Sequence, residues 1–220
     1  MKYYPIFLDL STHPCLVVGG GTVAERKVET LLSAQGKVTV ISPTLTPQLL
    51  VWAKDHLITV FQRSYRPGDL EGFALVFAAT DDAELHEQIA TEARATRIFL
   101  NVVDQPAFCS FIVPAIVSRG DLTLAVSTGG ASPALARKIR QDLEQRYGPE
   151  YDVTLCVLAR VREWVAKSQL TAAERRRLFT TLVESPLVEY VRERQIEKVN
   201  ALLQQTLGKS CTLEGLGLSL

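Results

Sequence analysis

The sequence contains 220 residues, of which 47% are apolar and 22% are charged, a composition typical of a soluble globular protein. Its 24 basic and 24 acidic residues balance, so no overall charge favours binding to nucleic acid or to an acidic membrane. No apolar run reaches the roughly 20 residues that cross a bilayer, and the N-terminus has neither the apolar core nor the cleavage site of a signal peptide. We therefore expect a cytoplasmic protein with no nucleic-acid or membrane partner.

The first strong pattern is an apolar run followed by glycines and a helix. Residues 15–18 (CLVV) suit a strand that is buried on both faces of a parallel sheet. Three glycines at 19–21 follow, and a helix with one apolar face begins next. Gly19-x-Gly21-x-x-Ala24 fits the dinucleotide fingerprint, in which glycines permit a sharp turn and let a pyrophosphate approach the helix N-terminus. The alternative is a tight strand-to-helix turn that binds nothing.

Strands and helices alternate over the first half of the chain. We expect four more strands, at residues 37–42, 57–62, 74–80 and 97–103. Two helical patterns lie between these strands. One covers about 44–55, and the other begins at a cap formed by Asp81 or Asp82 and ends near 95. The 74–80 strand is apolar throughout, so we expect it at the centre of the sheet. This alternation predicts a parallel sheet with right-handed crossovers.

The pattern changes near residue 108. Two apolar runs, 110–117 and 121–127, are joined by residues 118–120 and predict a β-hairpin. Pro114 inside the first run predicts an edge strand or a bulged strand there. Ser132 then predicts a helix N-cap before Pro133.

The rest of the chain is predicted to be helical. We expect three helices. The first covers 151–167, the second begins at a capping box formed by Thr171 and Glu174, and the third extends from Ser185 to near Gly208. The last twelve residues look loosely ordered. The predicted fold is therefore α/β, with a Rossmann-like domain at 1–109, a small α+β segment at 110–149 and a C-terminal helical domain at 150–220.

Ligands of open parallel sheets bind beyond the carboxyl ends of the strands. The candidate residues at that edge are Gly19, Gly21, Ser42, Pro43, Thr44, Thr80, Asn101 and Asp104. An NAD site usually has an acid about 20 residues past the glycines, but Ile41, Ser42 and Pro43 stand there instead. No arginine adjoins this position to bind a 2′-phosphate, so the pattern counts against NAD and more strongly against NADP. Ser42, Thr44 or backbone N–H groups remain for the ribose.

Asp104 is the acid best placed for catalysis, because it follows a strand next to the expected nicotinamide pocket. A carboxylate there can accept a proton while the cofactor accepts a hydride. The alternative is a turn residue, since Asp104-Gln105-Pro106 is a common turn sequence. Asn101 is either a ligand-binding amide or a turn residue. Ser127 and Thr128, which precede two glycines, form either an anion-binding nest or a flexible loop before the helix.

The cysteines and histidines show no metal-binding pattern. The four cysteines lie singly, with no CxxC pair, and the three histidines are isolated. This spacing predicts reduced thiols and no resident metal site. Cys109 has no nearby histidine, and we interpret it as a small buried residue rather than a nucleophile.

Six segments, taken in order, resemble the precorrin-2 dehydrogenase module of siroheme synthases: PIFLDL, VVGGGTVAERK, FAATDD, NVVD, SFIVPAIV and STGGASPALARKIR. The similarity covers residues 1 to about 150 closely and the helical remainder more loosely. The resemblance implies an NAD-dependent oxidation of precorrin-2 to sirohydrochlorin on the route to siroheme, with Asp104 as the catalytic aspartate. It also implies a homodimer formed through the middle segment.

The resemblance implies further site residues. NAD contacts would fall on Thr22 and Val23 after the glycine loop and on Pro43 and Thr44 after the second strand, and the missing acid is normal for this family. Thr128 stands where some relatives carry a regulatory phosphoserine. We take Asn101, Ser127 and Thr128 as candidate substrate contacts.

Two alternative functions remain open. Some relatives also insert ferrous iron into sirohydrochlorin, so the chain is alternatively a bifunctional dehydrogenase and ferrochelatase, with iron as a co-substrate. From a different class, the glycine loop without a ribose acid also allows a non-catalytic NAD-sensing regulatory module.

Overall fold

In the computed structural model, which describes residues 2–208 and 210–218, the chain divides into two units, Met1–Val113 and Pro114–Leu220. The first unit is built on a parallel sheet, and the second on a hairpin and helices. This architecture confirms the predicted α/β class with a Rossmann-like sheet and a helical C-terminal region. The three segments predicted from sequence, divided at residues 109 and 149, stay a prediction.

The sheet of the first unit is formed by β1 (Cys15–Val18), β2 (Val38–Ile41), β3 (Ile58–Phe61), β4 (Leu75–Ala78) and β5 (Phe99–Val102). All pairings are parallel, and the strand order is β3-β2-β1-β4-β5. Each strand lies within its predicted range. The strand predicted at 74–80 is an interior strand, as its apolar run predicts, although the middle of the five strands is β1. Both β1 and β4 are wholly buried between two neighbouring strands, so an apolar run does not distinguish their positions.

Helices cover both faces of this sheet: α1 (Thr22–Ser33), α2 (Pro47–Lys54) and α3 (Ala83–Thr96). α1 and α2 share one core with Cys15 and Val17 of β1, and α3 shares the other core with the alternate residues of that strand. Asp82 caps α3, where it accepts a hydrogen bond from the Leu85 N–H at 3.1 Å. Because α1 and α3 both begin at the carboxyl edge of the sheet, their N-termini flank the expected ligand site.

The second unit begins with an antiparallel hairpin of β6 (Ala115–Arg119) and β7 (Leu122–Val126). The predicted connection at 118–120 is wrong, because Arg119 pairs with Leu122 and the turn consists of residues 120 and 121. Gly120 there has a φ of +55°, which favours glycine. Pro114 precedes β6 rather than interrupting it, as its missing N–H requires.

The helices that follow are α4 (Pro133–Arg146), α5 (Glu150–Ala166), α6 (Ala172–Glu184), α7 (Leu187–Arg192) and α8 (Ile196–Leu207). The predicted cap at Ser132 and the capping box beginning at Thr171 are confirmed. The single helix predicted over 185–208 is instead α7 and α8, because the chain turns at 193–195, where Arg194 has a φ of +53°. None of the described helices is both long and apolar enough to cross a membrane.

The C-terminal tail was expected to be loosely ordered, and its described part is packed instead. Cys211, Leu213 and Leu216 are buried in one core with residues of α5, α7 and α8. Asn200 accepts a hydrogen bond from the Leu213 N–H at 2.8 Å, which fixes the start of this segment. Residues 209, 219 and 220 lie outside the described residues.

Candidate functional site

The three glycines after β1 have different surroundings. Gly19 has a φ of +123°, and a Cβ there would lie 2.1 Å from the Ala79 carbonyl oxygen. A Cβ on Gly20 would lie 1.9 Å from the Thr44 carbonyl oxygen. Gly21 has a φ of −84°, and apart from its two chain neighbours no described residue has an atom within 4 Å of a Cβ built there. The first two glycines are therefore required by packing within the protein, while the third leaves the backbone open to a ligand.

Gly21 is also the N-cap of α1, and no side chain caps this helix. The N–H groups of its first turn therefore remain available to an anion, in the field of the helix dipole. Thr22 and Val23 form the start of this turn. An open backbone at an uncapped helix N-terminus fits the pyrophosphate of a dinucleotide.

Hydrogen bonds join the glycine loop to the β2–α2 loop. The Gly19 N–H donates to the Ile41 carbonyl at 2.9 Å, and the Thr46 N–H donates to the Gly20 carbonyl at 3.0 Å. The buried Ser42 hydroxyl donates to the Thr44 carbonyl at 2.7 Å. Because its proton is used within the loop, the Ser42 hydroxyl can only accept a hydrogen bond from a ligand.

A cleft of about 370 Å³ opens between the carboxyl ends of β1, β2 and β4. Four predicted site residues line it, namely Gly19, Ser42, Pro43 and Thr80. The other polar lining residues were not predicted from the sequence; they are Ser64, Tyr65, Asp82, Glu84 and Gln88. The rule that ligands bind at the ends of strands also covers the segment after β3 and the start of α3, and it could have found them.

The wall formed by the β3–β4 loop is braced. Arg63 donates two hydrogen bonds to the Asp69 carboxylate, at 2.6 and 2.7 Å, and this pairing lowers the pKa of Asp69. The Tyr65 hydroxyl donates to the Glu92 carboxylate at 2.7 Å, and Glu92 also accepts from the Gly68 N–H at 3.0 Å. Burial, together with Glu92, raises the pKa of Tyr65 well above its usual range, so its phenol stays neutral.

Asp104 and Asn101 lie at the end of β5. Asp104 has a φ of +58°, a left-handed conformation that aspartate tolerates better than most residues. Its exposed carboxylate makes no hydrogen bond or ion pair with the described part of the chain. The Asn101 amide donates to the Phe111 carbonyl at 3.1 Å, so it braces the segment after the strand. Neither residue lines the 370 Å³ cleft.

Lys27 is a second charged residue near Asp104 that sequence analysis missed. The pattern of α1 places its charged residues mostly off the apolar face, yet Lys27 is half-buried. Burial lowers the pKa of Lys27 and the charge of Arg26 lowers it further, while the charges of Asp104 and Cys109 oppose the shift. The proximity of Lys27 to Asp104 follows from the packing of α1 against the sheet, which the sequence does not show.

Ser127 and Thr128 belong to the second unit, outside the unit that holds the cleft. The Thr128 hydroxyl accepts from the Ser132 N–H at 3.1 Å and donates to the Ser132 carbonyl at 3.0 Å. The Ser127 hydroxyl accepts from the Gly129 N–H at 3.1 Å. The loop therefore uses these groups to build the turn that precedes α4.

The described titratable side chains do not cluster into a metal site. Over residues 2–208 and 210–218, no group of three or more His, Cys, Asp or Glu side chains could hold a metal ion. The half-buried Cys109 thiol lies 3.2 Å from the Val102 backbone nitrogen and accepts its hydrogen bond. The cysteines of the chain are free.

Comparisons with known proteins agree with this geometry. A family model described as "Putative NAD(P)-binding" matches residues 6–115, and the model of the sirohaem biosynthesis protein central region matches residues 119–146. The siroheme synthases of Methylobacillus flagellatus and Nitrosococcus oceani are each 41% identical to the chain, over 207 and 208 residues. Each alignment covers 94% of this chain and 44% of the relative, so the chain spans less than half the length of these curated relatives.

A solved structure shares the fold. That structure is of SirC, a precorrin-2 dehydrogenase, and it superposes on this chain with a TM-score of 0.76 at 28% sequence identity. The match covers 89% of this chain and 100% of SirC. The dinucleotide fingerprint, the cleft above the sheet and these matches support a nicotinamide dinucleotide as cofactor. The chain therefore belongs to the family formed by precorrin-2 dehydrogenases and the corresponding N-terminal module of siroheme synthases.

Proposed function

We propose that this chain oxidises precorrin-2 to sirohydrochlorin with NAD, as a step of siroheme biosynthesis. The observation that carries the proposal is the open backbone at Gly21, at the uncapped start of α1, in a chain that matches a precorrin-2 dehydrogenase over that protein's full length. Gly21, Thr22 and Val23 would hold the pyrophosphate through backbone N–H groups. Ser42, Pro43 and Thr44 would hold the adenosine ribose, and Gly19 and Thr80 would line the cleft.

The charges around the cleft support NAD rather than NADP. Asp82 and Glu84 line it, and no lysine or arginine is among its lining residues in the described chain. Arg63 is near in sequence to the lining residue Ser64, but its guanidinium is bound by Asp69 at two positions. A 2′-phosphate would therefore meet carboxylates and find no free cation, whereas a 2′-hydroxyl brings no charge.

Asp104 is the proposed proton acceptor. Oxidation of the macrocycle removes one hydride and one proton, and a bound nicotinamide supplies the hydride acceptor. The Asp104 carboxylate is exposed and has no hydrogen-bond partner among the described residues, so both oxygens can accept. Asn101, Ser127 and Thr128 are the proposed substrate contacts. The amide oxygen of Asn101 is available for this role, since its N–H is the group bound to Phe111.

A homodimer formed through residues 110–149 is part of the proposal. This segment exposes large apolar side chains on β6 and on α4. Ile116 of β6 is 39% exposed, and Leu135 and Ile139 of α4 are 52% and 38% exposed. Burying them against a second copy would remove apolar surface from water. The free cysteines are in keeping with a cytoplasmic location, which we also propose.

The test is a spectroscopic assay of the purified chain with precorrin-2 and NAD, followed by ferrous iron. We expect formation of NADH together with sirohydrochlorin, and little reaction with NADP. NAD binding without tetrapyrrole turnover would refute the dehydrogenase and favour an NAD-sensing module. Iron insertion above the non-enzymatic rate would add the ferrochelatase activity, with iron as a substrate.

A further inference from the structure

Lys27 is a half-buried cation to which the proposed reaction gives no role. Its Nζ lies 5.3 Å from the centroid of the Phe77 ring, which holds the ammonium against the aromatic face. Phe77 in turn packs edge-to-face on Phe111, with ring centroids 5.4 Å apart. No carboxylate of the described residues lies within 4 Å of this ammonium. A partly desolvated charge without an ion pair is costly, and an anionic ligand would offset that cost.

The sheet register places this cation beside the proposed proton acceptor. Phe77 of β4 is the register partner of Asn101 of β5, so the two side chains project from the same face of the sheet. The Asn101 side-chain amide donates a hydrogen bond to the Phe111 carbonyl, and the Phe111 ring packs on Phe77. Asp104 follows Asn101 by three residues, and its charge acts on Lys27. Lys27, Asn101 and Asp104 therefore lie near one another at the carboxyl end of the sheet.

We propose that the Lys27 ammonium binds a carboxylate side chain of the tetrapyrrole substrate. The inference rests on the proposed function, because the macrocycle carries many carboxylates on its rim. An ammonium offers three N–H donors and a compact charge, and the Phe77 ring restricts its stem. Binding one rim carboxylate here would fix the edge of the macrocycle relative to Asp104. The other anion that could reach this region is the dinucleotide pyrophosphate, and the experiment separates the two.

The test compares Lys27→Met, which keeps the apolar stem and removes the charge, with Lys27→Arg, which keeps the charge. The control is Lys37→Met, because Lys37 is exposed just before β2, at the opposite edge of the sheet. The readouts are KM for precorrin-2, and the Kd values for sirohydrochlorin and for NAD under nitrogen. We expect Lys27→Met to raise KM for precorrin-2 and Kd for sirohydrochlorin about tenfold. Its Kd for NAD, and all values for Lys37→Met, should stay within about twofold of the unsubstituted chain.

Binding and turnover are measured separately, so this inference can fail while the proposed function stands, and the reverse. Unchanged tetrapyrrole binding in Lys27→Met would overturn the inference, and so would weakened NAD binding with normal tetrapyrrole binding, which would assign the cation to the pyrophosphate. Partial retention of affinity in Lys27→Arg would support a charge interaction. If the unsubstituted chain binds sirohydrochlorin but does not turn over precorrin-2, the proposed function fails while the binding comparison still tests Lys27. If it binds no tetrapyrrole, both fail.

Discussion

The three glycines of the loop after β1 should respond differently to the same substitution by alanine. In Gly19→Ala, the new Cβ would lie 2.1 Å from the Ala79 carbonyl oxygen in a backbone with a φ of +123°. The left-handed conformation costs roughly 1–2 kcal/mol and overpacking roughly 1–3 kcal/mol, so we expect a loss of about 3 kcal/mol in the free energy of unfolding. Gly20→Ala has no positive φ, but its Cβ would lie 1.9 Å from the Thr44 carbonyl oxygen and 2.8 Å from the Ser42 hydroxyl oxygen, and it should cost about 2 kcal/mol.

Gly21→Ala should leave the fold intact and impair binding. Apart from its two chain neighbours, its Cβ would meet no described residue within 4 Å, so stability should change by less than about 0.5 kcal/mol. The added methyl group would stand where the backbone receives the pyrophosphate, and the Kd for NAD should rise at least about tenfold. Gly19→Ala and Gly20→Ala, by contrast, should both destabilise the first unit, so only Gly21→Ala should separate NAD binding from stability.

The assay can report on the first unit alone. The chain has two tryptophans, Trp52 in α2 and Trp164 in α5, so Trp164→Phe leaves Trp52 as the fluorescent reporter of the sheet domain. Urea titrations in this background give the stability of each glycine variant, and calorimetry gives the Kd for NAD. If Gly21→Ala binds NAD normally, the pyrophosphate does not lie against this glycine. If Gly21→Ala destabilises the domain as much as Gly19→Ala does, the conclusion that a side chain at position 21 meets no other part of the protein is refuted.

The other predictions concern single side chains. Asp104→Ala should lower kcat for precorrin-2 oxidation by about 10²–10⁴-fold without changing the Kd for NAD, and a variant with normal turnover would exclude Asp104 as proton acceptor. Thr171→Ala removes one half of the α6 capping box and should lower the free energy of unfolding of the second unit by about 1 kcal/mol, followed by Trp164 fluorescence. Asp69→Asn should destabilise the first unit at pH 7. Because Arg63 lowers the folded-state pKa of Asp69, this stabilisation is present above the ordinary value of 3.8 and disappears as the pH falls through the lowered value. Urea titrations at pH 7 and below pH 3.8 would show the gap between the two proteins closing, and a gap that is independent of pH would contradict the ion pair.

Local patterns predicted the features that depend on neighbouring residues in the chain. The glycine loop follows an apolar strand and begins a helix, and the caps at Asp82 and Ser132 involve residues only three positions apart. These features were recovered from the sequence. The break at Arg194 was not, because the apolar positions of α7 and α8 continue a helical spacing, and the turn between them depends on packing in the core of the second unit.

The missed parts of the candidate site depend on contacts that are distant in sequence. Tyr65 is held in the cleft wall through Glu92, which is 27 residues away. The surroundings of Lys27 require the register of β4 with β5, and neither strand is near α1 in the chain. A single sequence carries no signal for such pairings, whereas its periodicity indicates which residues face the core.

The contact between Gly20 and the Thr44 carbonyl has a consequence for changing cofactor preference. Since the Thr46 N–H also binds the Gly20 carbonyl, the β2–α2 loop has a fixed length relative to the glycine loop. An inserted residue there would displace the pyrophosphate-binding backbone along with the ribose pocket. Pro43 and the Thr44 side chain are exposed, so replacing them changes side chains alone. Basic substitutions at these two positions should therefore be a better way to make the chain accept NADP than the insertion of a longer loop.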